Sequence, residues 1–252
     1  MIFDLLHSLA GLLCLRECGR MAAPTREEII EFNKSKLGTK EYWEEIYARD
    51  KQAFDETKDP GDVWFGQQYV DKMLRIVDAL PGVTKHSRIV DLGTGNGHTL
   101  VEFAKEGGFT ALVGTDYSAE AVALASAYVQ EEQLAEQIHL VQDDVLDSRL
   151  ERHSFHVVLD KGTFDAIMLS ADREQAQSKY IETVYALLLD DGSPSFLVIS
   201  SCNFTQAELQ AIFDSHFTFR LAAKYSGFTF GGVEGFKAST VCFEKRPTPL
   251  VS

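Results

Sequence analysis

Cysteine is scarce in this sequence, and no metal-binding pattern accompanies it. Four cysteines, at positions 14, 18, 202 and 242, are too few and too scattered for a disulfide framework, and no pair has the spacing of a zinc knuckle. The seven histidines also lack the spacing of metal ligands. We therefore expect no metal site, and a reducing compartment: the cytoplasm, with the nucleus as a second location.

Positive charge is in short supply as well. Lys and Arg total 24 against 38 for Asp and Glu, which gives a formal net charge of -14. So acidic a surface repels phosphate groups, which argues against nucleic acid and anionic membranes as partners and favours a basic protein or a cationic ligand. A long hydrophobic run is missing too, because the apolar opening, residues 1–18, is too short to span a bilayer and contains Asp4. We expect no membrane association.

The 252 residues suffice for one domain with a sizeable core. Met21 reads as a second possible start, so residues 1–24 are treated as an N-terminal extension that need not be ordered, and 25–252 as a single domain. Within it, 25–82 is a helical segment and 83–246 the core. The helical segment is predicted to contain a capping box at Thr25 and Glu28, a helix after Thr39, a polar loop over 51–62 and a helix from Gln67 to Leu80.

Beyond Pro81, short apolar runs alternate with helical stretches. Strands separated by helices of this length indicate βαβ units and a parallel sheet. The last two strands are close enough to pair across the Gly-rich loop 227–235 as an antiparallel edge hairpin. We predict an α/β fold with a Rossmann-like, doubly wound, seven-stranded sheet. The predicted strands are 88–93, 111–116, 137–144, 155–162, 195–202, 217–225 and 239–246, and the predicted helices between them include 118–132, 172–189 and one capped by Thr205 and Glu208.

The segment VDLGTGNG, residues 90–97, is the strongest chemical signal. A strand ends at Asp91, and glycines at alternate positions after it let the chain turn sharply and bring backbone N–H groups to a ligand at the start of a helix. Asp116 then ends the next strand, at about the distance where an acid holds a ribose diol. Together these features favour a cofactor of the adenosine type.

The GxGxG spacing of this turn resembles that of the class I, seven-strand S-adenosylmethionine-dependent methyltransferases. The resemblance implies that Asp91 lies near the methionine part of S-adenosylmethionine, that Asp116 binds the ribose, and that Asp144 meets the adenine. The remaining residues expected to bind the cofactor are Trp64, Gly93, Thr94, Gly95, Asn96, Gly97, Tyr117, Val145 and Asp160.

A narrower resemblance lies in DKGTFDAI (160–167), VWFG (63–66), KLGTKEYWEEIY (36–47) and SSCNFT (200–205). These segments are similar to those of the lysine methyltransferases that modify translation elongation factor 1-alpha. The resemblance implies a protein lysine as acceptor, elongation factor 1-alpha as partner and a monomeric enzyme. It also places Asp160 and Lys161 at the mouth of the methyl-transfer site, with Asp160 catalytic. Phe65, Lys161 and Asn203 are expected to bind the substrate.

Other readings of these residues remain open. A small-molecule N-methyltransferase is the first alternative, and it needs a lid over the acceptor. The GxGxG spacing and the absence of an evident acid at a hydride site disfavour a nicotinamide-dependent oxidoreductase, and an intact Asp160 counts against a scaffold without turnover. Trp64 and Phe65 are alternatively core aromatics, and Asp143 is read as a capping neighbour.

Overall fold

The computed structural model describes residues 36–224 and 239–247, and the backbone of 229–230 and 233–234. The predicted extension 1–24 and the predicted capping box at Thr25 and Glu28 lie outside the described residues, as does most of the Gly-rich loop 227–235.

The centre of the fold is a seven-stranded sheet with the order β3-β2-β1-β4-β5-β9-β6. Strands β1 to β5 run parallel, and β9 lies antiparallel between β5 and the edge strand β6. This confirms the predicted fold class. The strands are β1 (Ile89–Leu92), β2 (Leu112–Asp116), β3 (Ile138–Gln142), β4 (Val157–Lys161), β5 (Phe196–Ser201), β6 (Phe217–Ala222), β7 (Thr229–Phe230), β8 (Val233–Glu234) and β9 (Ser239–Lys245), with β7 and β8 forming a separate ladder.

Helices cover both faces of the sheet, which is why β1 and β5 are buried along their whole length and mostly apolar rather than alternating. No helix among the described residues is both long enough and apolar enough to cross a membrane. The helices are α1 (Lys40–Thr57), α2 (Gln67–Asp78), α3 (His98–Lys105), α4 (Ala119–Glu131), α5 (Thr163–Ile167), α6 (Arg173–Leu187) and α7 (Gln206–Phe213), with 3-10 turns at Lys36–Gly38 and Val145–Asp147. The predicted capping box of Thr205 and Glu208 is confirmed at the start of α7.

Two hydrophobic cores form, one on each face. Helices α1 to α4 pack on one face against residues such as Leu159, and helices α5 to α7 pack on the other against residues such as Val158. Because side chains alternate along a strand, neighbouring residues of β4 contribute to opposite cores. This alternation decides where the two charged residues at the end of β4 point.

The predicted loop over 51–62 is wrong in its first part, because α1 continues to Thr57. Its polar residues form the outer face of the helix, where Lys51 pairs with Asp55 at 2.7 Å. The inner face contributes Phe54, which is 1% exposed and packs edge-to-face on Tyr128 of α4. A single buried aromatic in a polar stretch was too weak a signal for a helix. The loop begins at Lys58, which adopts a left-handed conformation with φ 62°.

Candidate functional site

The glycine turn after β1 is enclosed by the protein's own side chains. Gly93, Gly95 and Gly97 have φ values of 64°, 57° and 79°, a region that residues with a Cβ rarely adopt. A Cβ added at these positions would collide with Thr163 at the first, collide with Tyr47 at the second and crowd Ala125 at 3.1 Å at the third. The glycines are therefore required by the packing of α5, α1 and α4 on the turn as well as by its backbone conformation.

Asp116, at the end of β2, is held by two backbone amides. Its Oδ2 accepts from the N–H of Gly95 at 3.0 Å, and its Oδ1 accepts from the N–H of Ser118 at 3.0 Å. Burial raises the pKa of this carboxyl from 3.8 to about 6, against the opposing effect of the two amides. The carboxylate is thus fixed beside the turn, and lone pairs remain for further donors.

Asp91, near the end of β1, contacts the turn through Thr94. Its Oδ2 accepts from the hydroxyl of Thr94 at 2.8 Å, while its Oδ1 accepts no hydrogen bond from the described residues. Burial raises the pKa of Asp91 to about 6, although the positive charge of Lys161 works in the opposite direction. Asp91 and Asp116 therefore flank the turn as two buried carboxyls.

Lys161 is held at the end of β4 by the protein's own backbone. Its Nζ donates to the backbone carbonyl of Trp64 at 3.1 Å, and burial lowers its pKa while the charges of Asp91 and Asp160 raise it. Its predicted placement at the mouth of the methyl-transfer site stays a prediction. The lysine ties the end of β4 to the segment before α2, and its predicted contact with the substrate stays a prediction.

Asp160 points to the opposite face of the sheet and is fully buried. Its Oδ1 accepts from the N–H of Thr163 at 3.0 Å, and its Oδ2 accepts from the N–H of Phe164 at 2.9 Å and from the hydroxyl of Tyr180 at 2.6 Å. Burial raises its pKa to about 7. Its predicted position at the mouth of the methyl-transfer site stays a prediction. These contacts give Asp160 a structural role at the start of α5, and its cofactor-binding and catalytic roles stay predictions.

The WFG segment forms a wall beside the turn. Trp64 and Phe65 are half-buried rather than enclosed in a core. Trp64 packs edge-to-face on Trp43 of α1 at 5.1 Å between ring centres. Phe65 has φ 68°, and its ring lies over Gly162, where an added Cβ would approach Cζ to 2.9 Å. The two aromatic rings thus link α1 to the end of β4.

Asn96 anchors the same wall. Its Nδ2 donates to the carbonyls of Pro60 at 3.0 Å and Asp62 at 3.3 Å, and its Oδ1 accepts from the N–H of His98 at 3.1 Å. The amide side chain is therefore engaged within the protein, and the predicted contact of Asn96 with a cofactor would have to come from its backbone.

The expected adenine end lies beyond β3. Asp144 is exposed and caps the 3-10 turn by accepting from the N–H of Leu146 at 2.9 Å, and Val145 and Tyr117 are half-buried nearby in the chain. The Oδ1 of Asp143 accepts from the N–H of Arg149 at 2.9 Å, which agrees with its reading as a capping residue. Its Oδ2 is buried with no hydrogen-bond partner among the described residues.

The segment after β5 is shaped by Asp165, a residue that the sequence analysis did not single out. Asp165 accepts from the N–H of Cys202 at 2.7 Å and from the hydroxyl of Ser201. The same hydroxyl accepts from the N–H of Asn203 at 3.1 Å, so the two side chains fix the backbone that carries Asn203. Burial raises the pKa of the Cys202 thiol, which is not an activated nucleophile. Asp165 is the last acid of the segment DKGTFD, so the sequence alone could have marked it as a candidate site residue.

Glu44 and Tyr47 of α1 were missed as well. Glu44 accepts from the hydroxyl of Ser118 at 2.8 Å and from the N–H of Ala119 at 3.3 Å, and so caps α4 from another helix. Tyr47 contacts Gly95. Both lie in the segment KEYWEEIY, three residues apart and hence on one helical face. The spacing predicts that the two side chains lie on the same side of α1, but only the fold shows that this side faces α4 and the glycine turn.

The structure thus brings together Asp91, Asp116, the glycine turn, Lys161 and the WFG segment. They meet at the carboxyl edge of the sheet, between β1 and β4, where the strand order reverses and where ligands bind in open α/β sheets. Asp160 lies at the same edge, opposite Leu92 of β1, but its side chain is on the other face of the sheet, where it contacts Tyr180. Among the described residues, no group of three His, Cys, Asp or Glu side chains is placed to hold a metal ion.

Comparisons with known proteins agree with this geometry. A family model described as a methyltransferase domain matches residues 83–232. EEF1A lysine methyltransferase 2 of Danio rerio is 38% identical over 216 residues, covering 85% of this chain and 90% of that protein. Protein-lysine N-methyltransferase EFM4 of Saccharomyces cerevisiae is 36% identical over 228 residues, covering 86% of this chain and 97% of that protein.

A solved structure, the TehB-like SAM-dependent methyltransferase of Corynebacterium glutamicum, shares the fold. It superposes with a TM-score of 0.53 at 16% identity, over 81% of this chain and 98% of that one. The sequence relationships are much closer than this structural likeness, and they extend over most of both chains. The chain therefore belongs to the methyltransferase family that contains EEF1A lysine methyltransferase 2 and the protein-lysine N-methyltransferase EFM4.

Proposed function

We propose that this chain transfers a methyl group from S-adenosylmethionine to the Nζ of a lysine in translation elongation factor 1-alpha. The observation that carries the proposal is the similarity to relatives named for this activity, which covers 85% of the chain and 90% of the Danio rerio protein. The enzyme class follows from the family, and the cofactor and acceptor are the parts proposed here.

The residues at the carboxyl edge fit S-adenosylmethionine. Asp116, oriented by two amides, retains acceptor capacity for a ribose diol, and the Oδ1 of Asp91 is available to the ammonium group of the methionyl part. Bound there, the cofactor supplies a methyl group already activated by its sulfonium. The protein therefore has chiefly to align the amine with the methyl carbon, and alignment alone lowers a barrier by roughly 7–11 kcal/mol.

The acceptor side requires a neutral amine. A lysine with an ordinary pKa of about 10.4 loses its proton at pH 7 at a cost of about 4–5 kcal/mol, at roughly 1.36 kcal/mol per pKa unit. Trp64 and Phe65 offer half-buried aromatic faces against which a lysine stem and its partly cationic amine can pack. The net charge of -14 favours the approach of a basic protein surface.

The test is methyl transfer to purified elongation factor 1-alpha. The protein is incubated with S-adenosylmethionine labelled on the methyl group, and the product is digested and analysed by mass spectrometry. We expect label on one lysine peptide, and loss of that label when the same lysine of the substrate is replaced by arginine.

Two comparisons sharpen this test. Asp116→Asn removes the carboxylate that receives the Gly95 amide, and we expect it to reduce transfer through weaker cofactor binding. A small amine is supplied in place of the protein as an alternative acceptor. Equal labelling of the small amine, without any label on elongation factor 1-alpha, would reject the protein-lysine reaction and support a small-molecule N-methyltransferase.

A further inference from the structure

Tyr47 reaches from α1 over the glycine turn. Its hydroxyl lies so close to Gly95 that a Cβ at that position would collide with it. The ring stacks on Trp43 at 5.9 Å between ring centres, and only 7% of the residue is exposed. Trp43 is itself anchored, because its Nε1 donates to the carbonyl of Leu37 at 2.8 Å. The Tyr47 hydroxyl is therefore held in a defined place above the turn.

This hydroxyl lies near enough to the two buried carboxyls of the crevice, Asp116 and Asp91, to interact with both electrostatically. Gly95, directly beneath it, donates its N–H to Asp116, and the neighbouring Thr94 donates its hydroxyl to Asp91. Burial first, and then the negative charges that include Asp116 and Asp91, raise the pKa of Tyr47 well above 10.0. The phenol consequently keeps its proton and is available as a hydrogen-bond donor.

The donor has no acceptor within the described protein. None of the described residues forms a hydrogen bond with the Tyr47 hydroxyl, although the charges of Asp91 and Asp116 both act on it. The residue is largely buried but its hydroxyl oxygen is not one of the fully buried atoms without a partner, so the donor stays accessible, and tyrosine hydroxyls in such places usually find a partner. A ligand in the crevice would supply that partner.

We propose that Tyr47 is a cofactor-binding residue whose hydroxyl donates a hydrogen bond to the carboxylate of the methionyl part of S-adenosylmethionine. The inference rests on the proposed function, which puts the ribose at Asp116 and the ammonium group at Asp91. A donor over Gly95 and close to both of these positions meets the methionyl chain, whose strong acceptor is its carboxylate. The neutral donor also offsets the repulsion between that carboxylate and the two flanking acids.

The experiment compares two ligands by calorimetric titration. S-adenosylhomocysteine carries the amino-acid carboxylate, whereas 5′-methylthioadenosine keeps the adenosine and the thioether sulfur but lacks that carboxylate. We expect Tyr47→Phe, which removes only the hydroxyl, to weaken the binding of S-adenosylhomocysteine about tenfold or more, since a hydrogen bond to a charged group contributes at least that much. The affinity for 5′-methylthioadenosine should change less than about twofold.

Tyr42→Phe is the matched control. Tyr42 lies on the same helix and packs edge-to-face on the same Trp43, at 5.3 Å between ring centres. We expect this variant to bind both ligands as the wild type does. An unchanged affinity of Tyr47→Phe for S-adenosylhomocysteine, or an equal loss for both ligands, would overturn the inference while leaving the proposed function intact. Failure of the wild type to bind S-adenosylhomocysteine would reject both.

Discussion

Removal of the Asp160 carboxylate should lower the stability of the fold, and any loss of methyl transfer should follow from that instability. In the folded protein this group accepts hydrogen bonds from the N–H groups of Thr163 and Phe164 and from the hydroxyl of Tyr180. Asp160→Ala leaves three donors without an acceptor at a site with no solvent exposure. At about 1–3 kcal/mol for each of the three donors left unsatisfied, we expect a loss of about 3–9 kcal/mol in the free energy of unfolding.

The loss is large against the roughly 5–15 kcal/mol that stabilises a typical domain. Urea denaturation followed by circular dichroism measures it directly. Tyr180→Phe deletes one of the three hydrogen bonds and should cost about 1 kcal/mol. As a control, Asp172→Ala removes an exposed aspartate that makes no capping hydrogen bond, and should stay within about 0.5 kcal/mol of the wild type.

The pH dependence of stability provides a second measure. Because burial raises the pKa of Asp160 from 3.8 to about 7, the folded state binds a proton between these values that the unfolded state has released. This stabilises the fold at low pH, and the stabilisation is lost as pH rises, by at most about 1.4 kcal/mol per pH unit for one proton. Asp160→Asn lacks this proton, so its stability should fall less steeply between pH 4 and 7.

The same measurements distinguish a structural role of Asp160 from a catalytic one. If Asp160→Ala unfolds at the wild-type urea concentration, with the wild-type pH dependence, and yet transfers no methyl group, the three hydrogen bonds are not what the residue is needed for. The originally predicted catalytic role would then stand. If the variant is destabilised but transfers methyl groups at low temperature, the structural role accounts for it.

Three further predictions concern the residues around the glycine turn. Affinity for S-adenosylhomocysteine should fall below about pH 6, as Asp91 and Asp116, both with pKa values of about 6, take up protons and lose charge-assisted hydrogen bonds; calorimetry from pH 5 to 8 checks this. Lys161→Met should move that midpoint upward, because the lysine charge lowers the pKa of Asp91. Gly95→Ala should lower the free energy of unfolding by about 1–3 kcal/mol, because the new Cβ collides with the Tyr47 hydroxyl. The loss should be smaller in a Tyr47→Phe background, where the nearest ring carbon lies 3.2 Å from the new Cβ. Urea denaturation of the two single variants and the double variant measures this coupling, and simple additivity of the two losses would contradict the contact.

Local patterns in the sequence were enough for the architecture. Apolar runs such as 88–93 and 195–202, separated by helix-length segments, predicted a parallel sheet because a strand buried on both faces is apolar over most of its length. The alternating glycines after Asp91 predicted the turn, since each needs a positive φ that other residues avoid. These signals depend on residues close together in the chain.

The positions of the two charged side chains at the end of β4 could not be predicted from neighbouring residues in this way. Strand geometry alone puts Asp160 and Lys161 on opposite faces, but the sequence does not say which face carries the crevice. The answer depends on the WFG segment, almost a hundred residues earlier in the chain, whose Trp64 carbonyl meets Lys161. Asp160 then falls on the side of Tyr180.

The same limit applies to α1. The motif KEYWEEIY reads as an amphipathic helix from its spacing, and that much the sequence determined by itself. Only the tertiary structure showed that Glu44 caps α4 and that Tyr47 rests on Gly95, because each contact joins residues that are distant in sequence and depends on how the helix docks. Local propensity and periodicity decide which elements form, whereas the roles of individual side chains at the crevice are decided by packing between those elements.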